Sequence, residues 1–274
     1  MKMLKRLLTI ICIGSSFLLS GQIAKKGAPK FVTVTYLHWD FENGKLDIDG
    51  WKRVEKEYFD NVTSKNEFLR SSTFYIHRFS DDSSELVLIN SYDSWEDINK
   101  ANDRNKELEE EAWPLEQKRK EVLGNISKYY TAYHADEIYR TLPQIKPVSE
   151  YATVNREMFM YLRTWHFSKS GNGPDESFQQ YQKLFLENVF NKNEFIKGYY
   201  GNVHAWGSDN TEFVEAFYIR SFSDYERMLL RNDELISQAW PDEAERNRIQ
   251  DEYRAFFSGQ HGDKLYVVVP EFSK

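Results

Sequence analysis

Six histidines are the side chains in this 274-residue sequence best suited to proton transfer or metal binding. They form three pairs, namely His77 with His204, His134 with His261, and His38 with His166. The first two pairs have the same sequence offset, whereas the offset of the third is longer by one position. No pair shows the His-Glu-x-x-His pattern or another close ligand spacing, so the sequence predicts no metal site.

Each pair of histidines allows a functional and a structural interpretation. His77 and His204 lie on predicted strands, where they could line a pocket or pack within a sheet. A structural role is favoured for His134 and His261, because each begins a His-x-Asp pattern expected near the end of a helix. The third pair is one position out of step, which places its members on opposite strand faces unless a β-bulge intervenes.

A second group of polar and aromatic residues recurs on a predicted helix. Arg, Asn and Glu precede a Trp-Pro pair twice, in Arg104-Asn105-x-Glu107 to Trp113-Pro114 and in Arg231-Asn232-x-Glu234 to Trp240-Pro241. These residues could form a pocket with an aromatic wall, or a packing motif with buried Trp and surface Arg–Glu pairs. The candidate ligand-binding residues are His77, His204, Trp113, Trp240, Arg104 and Arg231. No catalytic residue is predicted, because the sequence has no Ser-His-Asp set, glycine-rich phosphate loop or metal-binding carboxylate cluster.

The recurrence extends along most of the chain. Lys65-Asn66-Glu67-Phe68 returns as Lys192-Asn193-Glu194-Phe195, at the same offset as the first two histidine pairs. Several separated blocks that keep one offset indicate an internal duplication. We therefore expect one repeat over 31–143, a linker over 144–157 and a second repeat over 158–270.

Both predicted repeats show the same order of elements. A strand rich in β-branched and aromatic residues is followed by an amphipathic helix, two strands around a polar turn, a second helix broken at Trp-Pro, and a last strand. Ser94 and Ser221 are expected as N-caps of the second helix. This β-α-β-β-α-β order predicts an α+β fold of two tandem ferredoxin-like repeats. Their uncovered sheet faces would pack on each other as an intramolecular pseudo-dimer.

In element order and tandem duplication, the sequence resembles the dimeric α/β-barrel superfamily. The resemblance covers nearly all of the chain beyond the predicted signal segment and rests on no single motif. It implies a small molecule held between the sheets and the helices, or between facing sheets. The superfamily includes cofactor-independent monooxygenases of the antibiotic-biosynthesis type and several haem proteins, so either activity is an implied alternative.

The N-terminal segment 1–21 has the pattern of a secretory signal peptide. Three basic residues precede an apolar run from Leu7 to Leu19, which ends in the small residues Ser20-Gly21. A run of about 13 residues is shorter than the roughly 20 needed to span a bilayer. We therefore expect cleavage after Gly21, a periplasmic or secreted bacterial protein, and no stable membrane insertion. The single cysteine, Cys12, lies in this segment, so the mature chain would have no disulfide.

Composition limits the class of partner. Loss of the predicted signal would change the formal charge from −7 to −10, because the segment carries three basic and no acidic residues. An acidic chain without a basic tract is poorly suited to nucleic acid. Aromatic residues make up 16% of the sequence, a proportion that suits an aromatic-lined cavity.

The sequence therefore favours an exported protein that binds a small apolar or aromatic molecule. The recurring polar residues are kept in both predicted repeats, which fits either fold residues or two equivalent binding sites. Two alternatives stay open: a monooxygenase-like or haem-handling enzyme that uses His77 or His204, and a structural or partner-binding protein. The sequence assigns no cofactor and no oligomeric state.

Overall fold

The structure is a computed structural model that describes residues 27–41, 46–148, 158–168 and 174–274. The predicted signal peptide and most of the predicted linker lie outside the described residues. The same holds for most of the two glycine-containing loops that follow the first strand of each predicted repeat. Expectations about these segments stay predictions.

Eight antiparallel strands dominate the described residues, and they close into one barrel. They are β1 (Phe31–Trp39), β2 (Ser71–Phe79), β3 (Glu85–Tyr92), β4 (Tyr130–Lys146), β5 (Phe159–His166), β6 (Gly198–Trp206), β7 (Glu212–Ile219) and β8 (Gly262–Ser273). The order around the barrel is β1-β3-β2-β8-β5-β7-β6-β4, with β4 returning to β1. Closure pairs the backbone of every strand on both sides and leaves no open edge.

The predicted architecture of two tandem ferredoxin-like repeats with facing sheets is wrong, because the strands form a single closed sheet. Two pairings between the halves of the chain produce the closure: β2 pairs with β8, and β4 pairs with β6. The 17-residue length of β4 is the physical reason for the second pairing, since its length lets it pair with both β1 and β6. The apolar sheet faces that were expected to cover each other instead form the inside of one barrel.

Helices pack on the outer face of the barrel. Those in the described residues are α1 (Ile48–Asn61), α2 (Trp95–Ala112), α3 (Glu116–Ser127), α4 (Glu176–Phe185), α5 (Ser223–Ala239) and α6 (Glu243–Arg254). Trp51 of α1 is fully buried against the outward-facing rings of Trp39, Phe74 and Phe272. The core between helices and barrel is therefore separate from the inside of the barrel. None of these helices has the length and apolar character of a membrane span.

The structure confirms some of the predicted helix ends and contradicts one. The Ser94 side chain accepts a hydrogen bond from the Asp97 backbone at the start of α2, as an N-cap should. The prediction for Ser221 is wrong, because α5 begins at Ser223 and the Ser221 hydroxyl contacts the Ser223 hydroxyl instead. The break at Pro114 is confirmed: α2 ends two residues before it and α3 begins two residues after it.

The last strand of each half, which the sequence predicts over 137–142 and 264–269, is longer in the structure. Since β4 begins at Tyr130, His134 lies within a strand rather than near a helix end, and its expected interaction with a helix dipole is wrong. The ring of His134 instead contacts Asp136, with 3.4 Å between Nε2 and Oδ2. Because β4 continues to Lys146, the first three residues of the predicted linker belong to this strand.

Candidate ligand-binding cavity

The inside of the barrel contains a cavity of about 810 Å³. Its wall is mostly apolar, with aliphatic side chains from six strands. The aliphatic lining residues on the strands are Val32, Val34, Ile89, Ile145, Leu162, Val214, Ala216 and Val268. Because strand residues alternate between faces, Val32 and Val34 of β1, and Val214 and Ala216 of β7, lie two positions apart.

Five tyrosines give the wall its main polar groups; they are Tyr36, Tyr75, Tyr139, Tyr200 and Tyr218. They come from five different strands. Tyrosine offers a large apolar ring and one hydroxyl that needs a hydrogen-bond partner when buried. The cavity therefore combines an apolar surface with a few hydroxyls at fixed positions.

The hydroxyls of Tyr75 and Tyr218 meet inside the barrel, with 2.9 Å between their oxygens. Tyr75 belongs to β2 and Tyr218 to β7, two strands that are separated by β8 and β5 around the barrel. Burial raises the pKa of Tyr75 to about 12, and burial together with the neighbouring Tyr75 raises the pKa of Tyr218. Both hydroxyls therefore stay protonated at neutral pH.

Behind the cavity wall at one end, tyrosine hydroxyls bond to carboxylates. The Tyr139 hydroxyl donates to Glu212 over 2.6 Å, and the Tyr266 hydroxyl donates to Glu85. Burial raises the pKa of Tyr36, and nearby negative charges that include Glu85 and Glu212 raise it further. This end is thus a polar layer with an excess of negative charge.

Residues at the opposite end carry the only charged side chains of the cavity wall in the described chain, Arg70 and Lys274. Arg70 forms an ion pair with Asp93, with 2.8 Å between Nη1 and Oδ1. The Lys274 ammonium donates to the Asn66 carbonyl, and burial lowers the pKa of this lysine. No charged side chain of the described chain shifts the pKa of Tyr75 or Tyr218.

The predicted histidines do not line the cavity. His77 is held by the β2–β3 turn, with 2.8 Å between its Nδ1 and the Ser80 hydroxyl. His204 pairs in register with Tyr139, and its Nδ1 is buried with no hydrogen-bond partner in the part of the chain described. A ligand-binding role for these two residues stays a prediction.

His38 and His166 have equivalent contacts, although their sequence offset is one position longer than that of the other histidine pairs. His38 contacts Asp82 at 3.3 Å, and His166 contacts Asp209 at 3.1 Å. These two aspartates keep the offset of the other recurring residues, and both lie in turns between paired strands. The pairing of β1 with β4 shifts register between Leu37 and Trp39, and this irregularity is the β-bulge that would account for the extra position.

The predicted tryptophans and arginines also lie outside the barrel cavity. Trp113 is buried against Tyr58, and Trp240 against Phe185. Their contacts are those of the packing alternative, in which the indole fills space beneath the helices.

Ion pairs on the helix surface hold the two predicted arginines. Arg104 contacts Glu67, Glu107 and Glu111, and Arg231 contacts Glu194 and Glu234. The structure thus does not bring the six candidate residues together, and their binding role stays a prediction.

The recurring Asn of the Lys-Asn-Glu-Phe blocks has a structural explanation. The Asn66 amide donates to the Ala101 carbonyl at 2.8 Å and to the Asn105 side chain at 2.7 Å. Asn193 forms the corresponding bonds to Met228 and Asn232 at 2.9 and 2.8 Å. Through these hydrogen bonds, the fully buried amides connect the turn after α1 to α2, and the turn after α4 to α5.

Sequence reasoning missed the cavity tyrosines. The strand alternation Ser71-x-Thr73-x-Tyr75 places these side chains on one face, and all three line the cavity. This pattern could have marked them as a shared face, but not as the inside of a closed barrel. No group of three His, Cys, Asp or Glu suited to a metal ion occurs within the described ranges.

Comparison with known proteins supports the fold alone. No protein-family model and no curated protein matches the chain. The chain is similar to a putative monooxygenase from Lactobacillus acidophilus NCFM, with a TM-score of 0.55 and 7% identity over 87% of this chain and 94% of that one. It is also similar to a putative monooxygenase from Fusobacterium nucleatum, with a TM-score of 0.56 and 11% identity over 88% of this chain and 93% of that one. The chain therefore has the fold of these two structures over most of its length.

Proposed function

We propose that this protein binds a small, largely apolar molecule inside its barrel. The observation that carries the proposal is the cavity of about 810 Å³, which is within the range of about 300–1,000 Å³ typical of ligand pockets. Its wall is largely aliphatic and aromatic, with a few hydroxyls. This is the composition expected of a site that buries an apolar ligand and orients it through a small number of polar contacts.

The closed barrel supports this proposal because it fixes the cavity walls. Every strand is hydrogen-bonded on both sides, so the lining side chains are held at set positions without a bound partner. A preformed apolar cavity lowers the cost of ordering side chains when a ligand binds. The acidic character of the chain and the absence of a basic tract fit a small-molecule ligand better than a nucleic acid.

Filling the cavity should remove binding. Ala216 of β7 lines the cavity and is 6% exposed, so Ala216→Trp would place an indole inside the barrel. We expect the affinity for the fluorescent apolar dye 1-aminoanthracene to fall at least about tenfold, which corresponds to about 1.4 kcal/mol. The measurement is dye fluorescence during titration, with circular dichroism to verify that the variant is folded.

A matched control introduces the same side chain elsewhere. Ser237→Trp changes an exposed position on α5 and should leave dye binding unchanged. Equal dye affinity in the wild type and both folded variants would place the dye outside the barrel and contradict the proposal.

A second candidate is cofactor-independent oxygenation of the bound molecule. The observation in its favour is the fold shared with two structures named as putative monooxygenases. Dioxygen uptake that depends on a cavity ligand, and that is lost in Ala216→Trp, would support this candidate over binding alone. Ligand binding without dioxygen uptake or product would support binding alone.

The described cavity wall offers no histidine or cysteine to hold a haem iron. Haem iron is usually held by histidine, cysteine, methionine or tyrosine side chains. Of these side chains, the described wall has Met158 and five tyrosines but no histidine or cysteine, and the hydroxyls of Tyr75, Tyr139 and Tyr218 are bonded to other side chains. Nothing else in the described wall points to iron, so we assign no haem to the cavity.

A further inference from the structure

We propose that the cavity selects an uncharged molecule with a hydrogen-bond acceptor, such as a ketone oxygen, and that the Tyr75–Tyr218 hydroxyl pair recognises this acceptor. This inference rests on the proposed function, because it names the chemical class of ligand for the same cavity. It assigns a specificity role to two residues that are not among the six sequence candidates.

The position of the pair suits ligand recognition. Both tyrosines line the cavity, and their rings are 6.5 Å apart at an angle of 55°. Tyr218 is further held by the ring of Tyr200, which meets it edge to face at 6.0 Å. Two hydroxyls from distant strands thus meet in a largely apolar surrounding, at a place fixed by ring packing.

Counting hydroxyl protons shows how many hydrogen bonds the Tyr75–Tyr218 pair can donate to a ligand. Each neutral tyrosine hydroxyl carries one proton, and the bond between the two oxygens uses one of the two. The pair therefore has one hydroxyl proton left to donate. A buried donor is costly without a partner, so an acceptor on the ligand is favoured.

The charges around the cavity favour an uncharged ligand. No charged side chain among the described residues shifts the pKa of Tyr75 or Tyr218. At one end of the wall, Arg70 is paired with Asp93 and the Lys274 ammonium donates to the Asn66 carbonyl. At the other end, Glu85 is paired with Lys264, and the negative charge of Glu212 would repel an anion. An ionised group at the tyrosine pair would lose its hydration without gaining a counter-ion.

The experiment compares two probes that differ in one group. 1-Tetralone has a ketone oxygen, and tetralin has a methylene in its place. The double variant Tyr75→Phe with Tyr218→Phe removes both hydroxyls and keeps both rings, an exchange of paired groups that is close to neutral for folding. We expect it to weaken 1-tetralone binding by roughly five- to tenfold, the equivalent of one net hydrogen bond, and to leave tetralin binding within about twofold.

The control and a second readout keep the test specific. Tyr133→Phe removes an exposed hydroxyl on β4 that does not line the cavity, and it should change 1-tetralone binding less than about twofold. The infrared carbonyl band of bound 1-tetralone should lie at lower frequency in the wild type than in the double variant. Affinities come from equilibrium dialysis.

The outcomes separate this inference from the proposed function. If both probes bind the wild type and the double variant equally, the cavity binds ligands but the tyrosine pair does not recognise the acceptor, and the inference is overturned. If the wild type binds neither probe, the inference and the proposed function both fail. A selective loss of 1-tetralone binding supports both.

Discussion

Replacing Arg163 with methionine is expected to lower the free energy of unfolding by about 3–5 kcal/mol, because it leaves a buried charge without its partner. The Glu215 carboxylate is fully buried and lies 2.7 Å from the Arg163 guanidinium. It also accepts hydrogen bonds from Trp165 and Tyr199 at 2.9 and 2.8 Å. Those two donors would remain in the variant, but neither carries the compensating charge. Urea denaturation at pH 7.5 measures the loss.

Two further variants distinguish lost charge from lost packing. Adding Glu215→Gln to Arg163→Met removes the charge and keeps an acceptor, so more than half of the lost stability should return. Arg231→Met is the control: Arg231 pairs on the surface with Glu194 and Glu234, so its replacement should leave the free energy of unfolding nearly unchanged. If Arg163→Met alone and Arg163→Met with Glu215→Gln lose the same stability, the unpaired charge of Glu215 is not the cause of the loss.

Glu55→Gln is expected to stabilise the protein at pH 8 by up to about 3 kcal/mol and to have little effect at pH 4. Glu55 on α1 is 6% exposed, and burial raises its pKa to about 7, partly offset by hydrogen bonds that include the Tyr130 hydroxyl. A carboxyl whose pKa is raised on folding contributes its full stability below about pH 4.5. That contribution is lost as the pH rises through about 7. Glutamine removes the titration while keeping an oxygen for Tyr130.

The chain itself offers a precedent for this exchange. Gln182 takes the place of Glu55 in the second predicted repeat, and its amide exchanges hydrogen bonds of 2.6 Å with Tyr199 and Tyr253. The Tm of the wild type should therefore fall relative to that of Glu55→Gln as the pH rises from 4 to 8. Glu57→Gln changes an exposed carboxyl on the same helix and serves as the control. Parallel pH profiles for the wild type and Glu55→Gln would refute the explanation based on burial.

Local structure could be predicted from the sequence because it depends on neighbouring residues. Strand alternation, the Ser94 cap and the helix break at Pro114 each follow from a few adjacent side chains. Ser221 shows the limit of such reasoning, since a serine before a helix becomes a cap only if its backbone lies at the helix start. The structure places that start at Ser223 instead.

Barrel closure could not be predicted in the same way. Alternation shows which side chains share a face, but not which strand will pair with a free edge. The pairing of β2 with β8 joins residues that are far apart in the sequence, such as Phe74 and Val269. For the same reason Tyr75 and Tyr218 show no motif, although their hydroxyls meet inside the barrel.

Several recurring residues have structural contacts that account for their recurrence without a ligand. Asn66 and Asn193 recur at a fixed offset because both fasten a turn to a helix through buried hydrogen bonds. Arg104 and Arg231 recur with surface ion pairs. These contacts give the recurring residues a structural explanation, whereas the cavity is lined mostly by alternate strand residues that form no recognisable motif.

A methionine NMR titration tests cavity binding most directly. Met158 lines the cavity, whereas Met228 is buried between α5 and the outside of the barrel, so two methyl groups of one protein serve as probe and internal control. With ¹³C-methyl methionine and signals assigned by Met→Leu variants, added 1-tetralone should shift the Met158 signal saturably and leave the Met228 signal in place. An unmoved Met158 signal, or a saturable shift of Met228 alone, would contradict ligand binding inside the barrel.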